Sequence, residues 1–134
     1  MTQKPKIELS SALICEAATV DRQNRAILYG IFNQINAQEV PTTHPQFAIF
    51  CVWEGTVGGK HEQGIKIVAP SGKAIVSPPP MPFEMTGSHA RLISQFNLMR
   101  FEEFGTYRIE ISLDGETVKE LPLDVIKIEP RKES

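Results

Sequence analysis

The sequence predicts an all-β fold, a two-sheet antiparallel β-sandwich of about eight strands, and three observations carry that expectation. Between Gly105 and Leu113, the apolar Tyr107, Ile109, Ile111 and Leu113 alternate with Arg108, Glu110 and Ser112. A period of two marks a strand with one dry face and one wet face. Asp114-Gly115 follows, a pair that tolerates the positive φ of a tight hairpin turn, and Glu116 to Val125 returns as a second strand. Along the rest of the chain, short apolar segments are separated by glycine- and proline-bearing turns at the spacing of a sandwich or barrel.

Taken in order, Ile7, Leu9, Leu13, Cys15 and Ala17 alternate as a first strand, and the polar run Asp21 to Arg25 turns the chain. Ala26 to Ile35 is a second strand, followed by a loop from Asn36 to Pro45 with two prolines. Gln46 to Trp53 is a third strand, and Gly55, Gly58 and Gly59 mark a loop before Glu62 to Val68. Pro70-Ser71-Gly72 is a turn signal ahead of a short strand at Ala74 to Val76. Ser77 to Ser88 is a loop with four prolines, and His89 to Phe101 a long strand in which Leu92, Ser94, Phe96 and Leu98 hold period two. The terminal hairpin closes the domain, its last strand running toward Ile128. Pro122 removes a backbone donor, so that strand lies at an edge or breaks there. The apolar register also moves from Leu121, Leu123 and Val125 to Ile126 and Ile128, as a bulge or a change of sheet would make it. One domain spans residues 1–134, with immunoglobulin-like and jelly-roll-like connectivity both open.

The composition bounds the function. Hydrophobic residues make up 41% and charged residues 22% of the chain, enough for a packed core. The net charge of −2 offers no basic surface for a polyanion, so no nucleic-acid partner is expected. No segment approaches the roughly 20 apolar residues of a membrane span, and Glu8 and Glu16 interrupt the first apolar stretch where a secretion signal needs an unbroken one. The expected location is the cytoplasm, with no membrane partner. There, Cys15 and Cys51 are expected to be buried free thiols.

Two stretches are oily on both sides. Phe47, Ile49, Cys51 and Trp53 fill one face of the third strand, and Ala48, Phe50 and Val52 the other. In the second strand Ile27, Tyr29 and Ile31 back onto Leu28, Gly30 and Phe32. A sandwich strand normally leaves one face to water, so something must cover these. Two covers are available: the loop Pro78 to Met85, where Met81, Phe83 and Met85 alternate, and a second copy of the chain. Leu28, Phe32, Phe50, Val52, Met81, Phe83 and Met85 are therefore the candidate interface residues. A homodimer is the favoured assembly, and a different protein partner the other option.

Catalytic constellations are absent from the pattern. His44, His61 and His89 are widely spaced, and His61-Glu62 continues into Gln63-Gly64 where a β-barrel metal enzyme needs a second histidine. Glu102-Glu103 point to opposite faces of an extended chain. No serine or cysteine stands in a nucleophile elbow. No catalytic residue, metal ligand or cofactor is expected. The leading reading is a non-enzymatic binding or assembly module. The alternatives are a small metal-dependent enzyme with a pocket near His61, Glu62 or His89, and a carbohydrate-binding module that uses Trp53, which reads better as core or interface.

The segments Leu28-Tyr-Gly-Ile-Phe-Asn-Gln-Ile35, Val40-Pro41, Phe47-Ala-Ile-Phe50, Gly105-x-Tyr107, Leu113-Asp-Gly115 and Leu121-Pro-Leu123 together resemble a small bacterial family of uncharacterised all-β proteins. That family pairs a Leu-x-Gly-(Ile/Val)-Phe-Asp strand with a terminal hairpin, and Asn33 stands here where it more often has an acid. The resemblance implies the fold over most of the chain and no activity.

Overall fold

A computed structural model describes residues 6–56 and 58–129. The alternation resolves into ten strands: β1 (Ile7–Val20), β2 (Ala26–Ile31), β3 (Gln34–Ala37), β4 (Thr42–Gly55), β5 (Lys60–Val68), β6 (Ala74–Val76), β7 (Met81–Glu84), β8 (His89–Phe101), β9 (Gly105–Leu113) and β10 (Glu116–Lys127). No helix forms among the described residues, and so none long and apolar enough to cross a membrane. One sheet runs β2-β1-β4-β8 and the other β3-β10-β9-β5-β6, with β7 also on β5. All pairings are antiparallel except β3 against β10, which is parallel. The all-β sandwich expectation holds, with ten strands instead of eight and one mixed sheet.

One extra strand arises where the pattern reads as continuous, and the other inside the proline-rich loop. Ala26 to Ile35 is two strands, because the chain crosses between sheets at Phe32 and Asn33. The Phe32 amide donates to the Ile14 carbonyl at 2.9 Å, and the Asn33 carbonyl accepts from the Asp124 amide at 3.0 Å. The loop 77–88 contains β7, which pairs Met81 with Gln63 and Phe83 with His61.

Burial follows the same logic. The core lies between the sheets, with Phe47, Ile49, Cys51 and Trp53 of β4 facing Ile65 and Ile67 of β5, Ile109 and Ile111 of β9, and Leu123 and Val125 of β10. In β1 a bulge between Leu9 and Ser11 changes the parity, so Ile7 and Leu9 face inward before it and Ala12 and Ile14 after it. The single-face reading of Ile7 through Ala17 is therefore corrected: Leu13 and Cys15 lie on the outer face. The shift foreseen near Ile126 is a different feature. The bulge of β10 sits between Thr117 and Lys119, and Ile126 and Ile128 are outward and exposed.

A second parity change is shared by two strands. Pro45 stands between the pairs His44↔Met99 and Gln46↔Asn97, opposite Leu98, which has φ 51° and is 74% exposed. Below this level Leu92 and Phe96 face inward, and above it Met99 and Phe101 do. Pairing survives while both strands turn over together.

The turn and corner chemistry matches the sequence. Asp114 and Gly115 take φ of 51° and 88° at the β9–β10 hairpin. The Tyr107 hydroxyl donates to the Glu103 carbonyl and accepts from the Glu103 amide, both at 3.0 Å, a corner that ties β9 to the turn before it.

Cys15 and Cys51 are free and buried. β1 and β4 are neighbours, but Cys15 pairs with Ala48 and Cys51 with Ala12, on opposite faces and three positions out of register. A disulfide cannot span that offset. Burial pushes the Cys51 thiol up to about 12 and raises that of Cys15. Neither thiol is expected to react with a chromogenic disulfide reagent at pH 8 while the protein is folded, and both should react at once in denaturant. Rapid titration of either thiol in the native protein would contradict the packing described.

Candidate functional site

The oily outer face of β4 is covered by the chain itself. Ala48 and Cys15 are fully enclosed and Phe50 is buried, although none of the three belongs to the inter-sheet core. The β1–β2 hairpin arches over that face as the sheet curls. Val20 and Ala26 share a small cavity with Phe50 and Ile93, and the Arg91 guanidinium donates to the Asn24 carbonyl at 3.0 Å, holding the hairpin tip down. This is a third cover, beyond the two the pattern offered.

The seven candidate interface residues separate accordingly. Phe50 and Val52 lie on the enclosed face, with Val52 half-buried. Phe83 stacks on Trp53 with ring centroids 5.9 Å apart, and Met85 is 1% exposed in the core. The loop 77–88 thus does not lie as a flap across the oily face of β4: its apolar residues extend the second sheet and fill the core. Met81 is exposed at the rim of β7, and Leu28 is half-buried on β2 opposite Ala18. Phe32 lines an open apolar groove.

That site is a groove of about 320 Å³ where the chain passes from one sheet to the other. Ala12, Leu13 and Ile14 of β1 form one wall, Ile31 and Phe32 the end of the crossing, and Leu121 and Pro122 of β10 the opposite wall. Two unpaired strand edges flank it. From Ile7 to Leu13, β1 pairs only with β4, and from Glu116 to Leu123, β10 pairs only with β9. Pro122 therefore sits on a free edge, where a missing donor costs nothing. Behind the groove, Phe32 meets Phe47 edge-on at 6.5 Å and His44 at 5.5 Å, and His44 Nε2 lies 3.3 Å from Glu16.

Beside the groove, β2 carries Tyr29 at 55% and Ile31 at 60% exposure. Its sequence, Ala-Ile-Leu-Tyr-Gly-Ile, has no charge and no proline. Two longer edges are guarded: β10 has Glu116, Lys119, Glu120 and Pro122, and β8 has Arg91 and Arg100. Tyr29, Ile31, Leu121 and Pro122 were outside the sequence-based site, although the uncharged run in β2 was a usable signal.

The titratable groups form pairs. His61 Nδ1 lies 3.0 Å from Asp114, whose carboxyl is held below its ordinary value by that contact and by the Glu62 amide. His89 Nε2 lies 2.7 Å from Glu54. Among the described residues no three of His, Cys, Asp and Glu come together. Trp53 is fully buried, with its indole N–H donating to Gln63 Oε1 at 2.8 Å, so its ring is core and offers no stacking face to a sugar.

A family model described as "Family of unknown function (DUF6941)" matches residues 10–126. The chain belongs to that family. This places the sequence resemblance on a named set of proteins and adds no activity to the DUF6941 fold. No curated protein matches the chain. Among solved structures, a β-glucosidase from Listeria innocua in complex with glucose is similar over 95% of this chain, with TM-score 0.54 and 10% identity. The chain spans 16% of that enzyme's length, and the likeness is one of fold. An alkylpurine DNA glycosylase AlkC of Pseudomonas fluorescens, bound to DNA containing an abasic site analog, is similar over 85% of this chain and 30% of its own, with TM-score 0.48 and 12% identity.

Proposed function

We propose that this DUF6941 domain is a non-enzymatic assembly module of the bacterial cytoplasm, acting as a homodimer through the β2 edge and the groove beside it. One observation carries the reading: Tyr29 and Ile31 stand half bare next to an uncharged groove of about 320 Å³. Contiguous apolar surface of this kind on a soluble domain marks a contact site. A ridge beside a groove is self-complementary under two-fold rotation, so each copy can give its ridge and receive the other's. An edge strand without charge or proline also leaves its backbone groups open to a second strand. The bacterial setting rests on the family resemblance, and the cytoplasmic one on two thiols that have no partner for oxidation.

Size-exclusion chromatography with light scattering at micromolar concentration tests the proposal. The expected mass is twice the 15.0 kDa of one chain. Combining Tyr29→Lys with Ile31→Lys should return the protein to a single-chain mass with its strand content intact, since both side chains face water within one chain, and its thermal midpoint should fall only by what dimer formation contributed. Leu98→Lys, at another exposed leucine, should leave the dimer intact. A wild-type mass of 15.0 kDa sinks the homodimer and leaves a different protein as the occupant of the surface. A dimer that survives the two lysines places the contact elsewhere.

A further inference from the structure

The cavity under the β1–β2 hairpin is a second candidate site, away from Tyr29 and Ile31. It has a volume of about 270 Å³. Alternation along β8 puts His89, Arg91 and Ile93 on one face of the sheet, with Ile93 opposite Phe50 and Arg91 opposite Val52 on β4. The hairpin closes over that face and adds Val20 and Ala26 to the lining, so four of the side chains that bound the cavity are apolar.

Two basic side chains also line it. His89 is engaged at both ring nitrogens: Nδ1 lies 2.9 Å from the Ser88 hydroxyl and Nε2 lies 2.7 Å from Glu54. It contributes ring surface and no free donor. Arg91 differs. Its Nη1 donates to the Asn24 carbonyl at 3.0 Å, and Asn24 lines the same cavity, so this bond holds the guanidinium at the hairpin rim. Arg91 is exposed, and it makes no ion pair among the described residues. A guanidinium has five N–H donors and stays charged at any physiological pH. Most of those donors, and the charge itself, are left for a partner that arrives from solvent.

The cavity sets the chemistry of that partner. No carboxylate lines it. One uncompensated cation matches a monoanion, whereas a phosphate dianion would bring a second charge onto an apolar wall with nothing to balance it. A planar carboxylate meets the guanidinium fork with two parallel hydrogen bonds. Phe50 and Ile93 suit a compact hydrocarbon body. The volume is a little under twice that of a cavity that holds benzene, about 150 Å³, which leaves room for one ring and its carboxylate. We propose that this cavity binds a small monocarboxylic acid, its apolar body against Phe50 and Ile93 and its oxygens accepting from Arg91.

Phenylacetate is a suitable probe, with phenylacetamide as the uncharged match and inorganic phosphate as the anion without an apolar body. In proton–nitrogen correlation spectra, phenylacetate should shift the Arg91 Nε–H signal and the backbone amides of Asn24, Ala26 and Ile93, saturating at millimolar concentration. Phenylacetamide and phosphate should each bind at least about tenfold more weakly, and Arg91→Gln should weaken phenylacetate binding about tenfold, the loss of a hydrogen-bonded charge. Because Arg91→Gln also releases the hairpin tip, Ala26→Leu is the second variant: it keeps Arg91, fills the cavity from β2 and should abolish the shifts. The proposal is overturned by the absence of a saturable shift with phenylacetate, by equal binding of phenylacetamide or phosphate, or by unchanged binding in either variant. A tripeptide ending in phenylalanine that binds more tightly than phenylacetate also overturns it, since the site would then read a chain end.

Discussion

Trp53→Ala is expected to lower the unfolding free energy by about 3–5 kcal/mol, at the upper end of that range. The side chain is fully buried and stacks on Phe83, so truncation leaves a void that two rigid sheets cannot close. It also strips Gln63 Oε1 of its donor. Because Gln63 Nε2 already lacks an acceptor, the whole carboxamide would then stand unsatisfied, adding a penalty of about 1–3 kcal/mol unless water enters. Domains of this size hold about 5–15 kcal/mol in total, so the variant would lie close to unfolding. Urea denaturation measures the loss. Trp53→Phe separates the two causes, since it keeps most of the ring and removes the N–H. In that background Gln63→Met should restore stability, whereas in the wild type it should not. A loss under about 1 kcal/mol for Trp53→Ala would place the indole outside a packed core.

Gly55→Ala is expected to cost about 2–4 kcal/mol, more than its single added methyl suggests. Gly55 has φ 154°, and a Cβ there would overlap the Lys6 carbonyl oxygen and stand 2.8 Å from Ile7 Cα. Both obstacles are backbone atoms and cannot rotate away. Relief requires the start of β1 to leave β4, with loss of the pairs Ile7↔Gly55, Glu8↔Glu54 and Leu9↔Trp53. Gly64→Ala is the control. Its Cβ would meet the hydroxyl of Ser112, a group that can turn aside, and the cost should stay within about 1 kcal/mol. Hydrogen exchange should show the amides of residues 7–9 opening in Gly55→Ala and protected in Gly64→Ala. Equal stability of the two variants would mean that β1 can shift without penalty.

The strands were legible because period two writes burial directly into β9, and because Asp114-Gly115 specifies its own turn. The two-sided burial of β4 was legible too, since Phe47 to Cys51 leaves no polar position. What covers that face was not. It depends on how β1 and β2 curl over β4, and β1 carries in addition a bulge at Ser10, whose hydroxyl donates to the Val52 carbonyl at 3.1 Å. A bulge changes parity without leaving an unusual residue behind. For the same reason the crossing at Phe32 and Asn33 was hidden inside one apolar run. The candidate surface was half legible. Phe32 is named from its hydrophobicity while Tyr29 and Ile31 beside it are not, because nothing local says that a strand is at an edge. Gln63 had a readable signal, as the polar residue in the inward series Gln63, Ile65 and Ile67.

The parallel pairing of β3 with β10 joins segments about 90 residues apart. As the polypeptide is made, Gln34 to Ala37 emerges early and then waits for Asp124 to Lys127 before its backbone groups find neighbours. Meanwhile β4 can already recruit β1 and β8. Assembly is thus asymmetric in time: one layer can take shape on the ribosome, while the other is sealed by the last strand of the domain. Any nascent form halted before β10 would show Tyr107, Ile109 and Ile111 to chaperones with an entire edge unzipped.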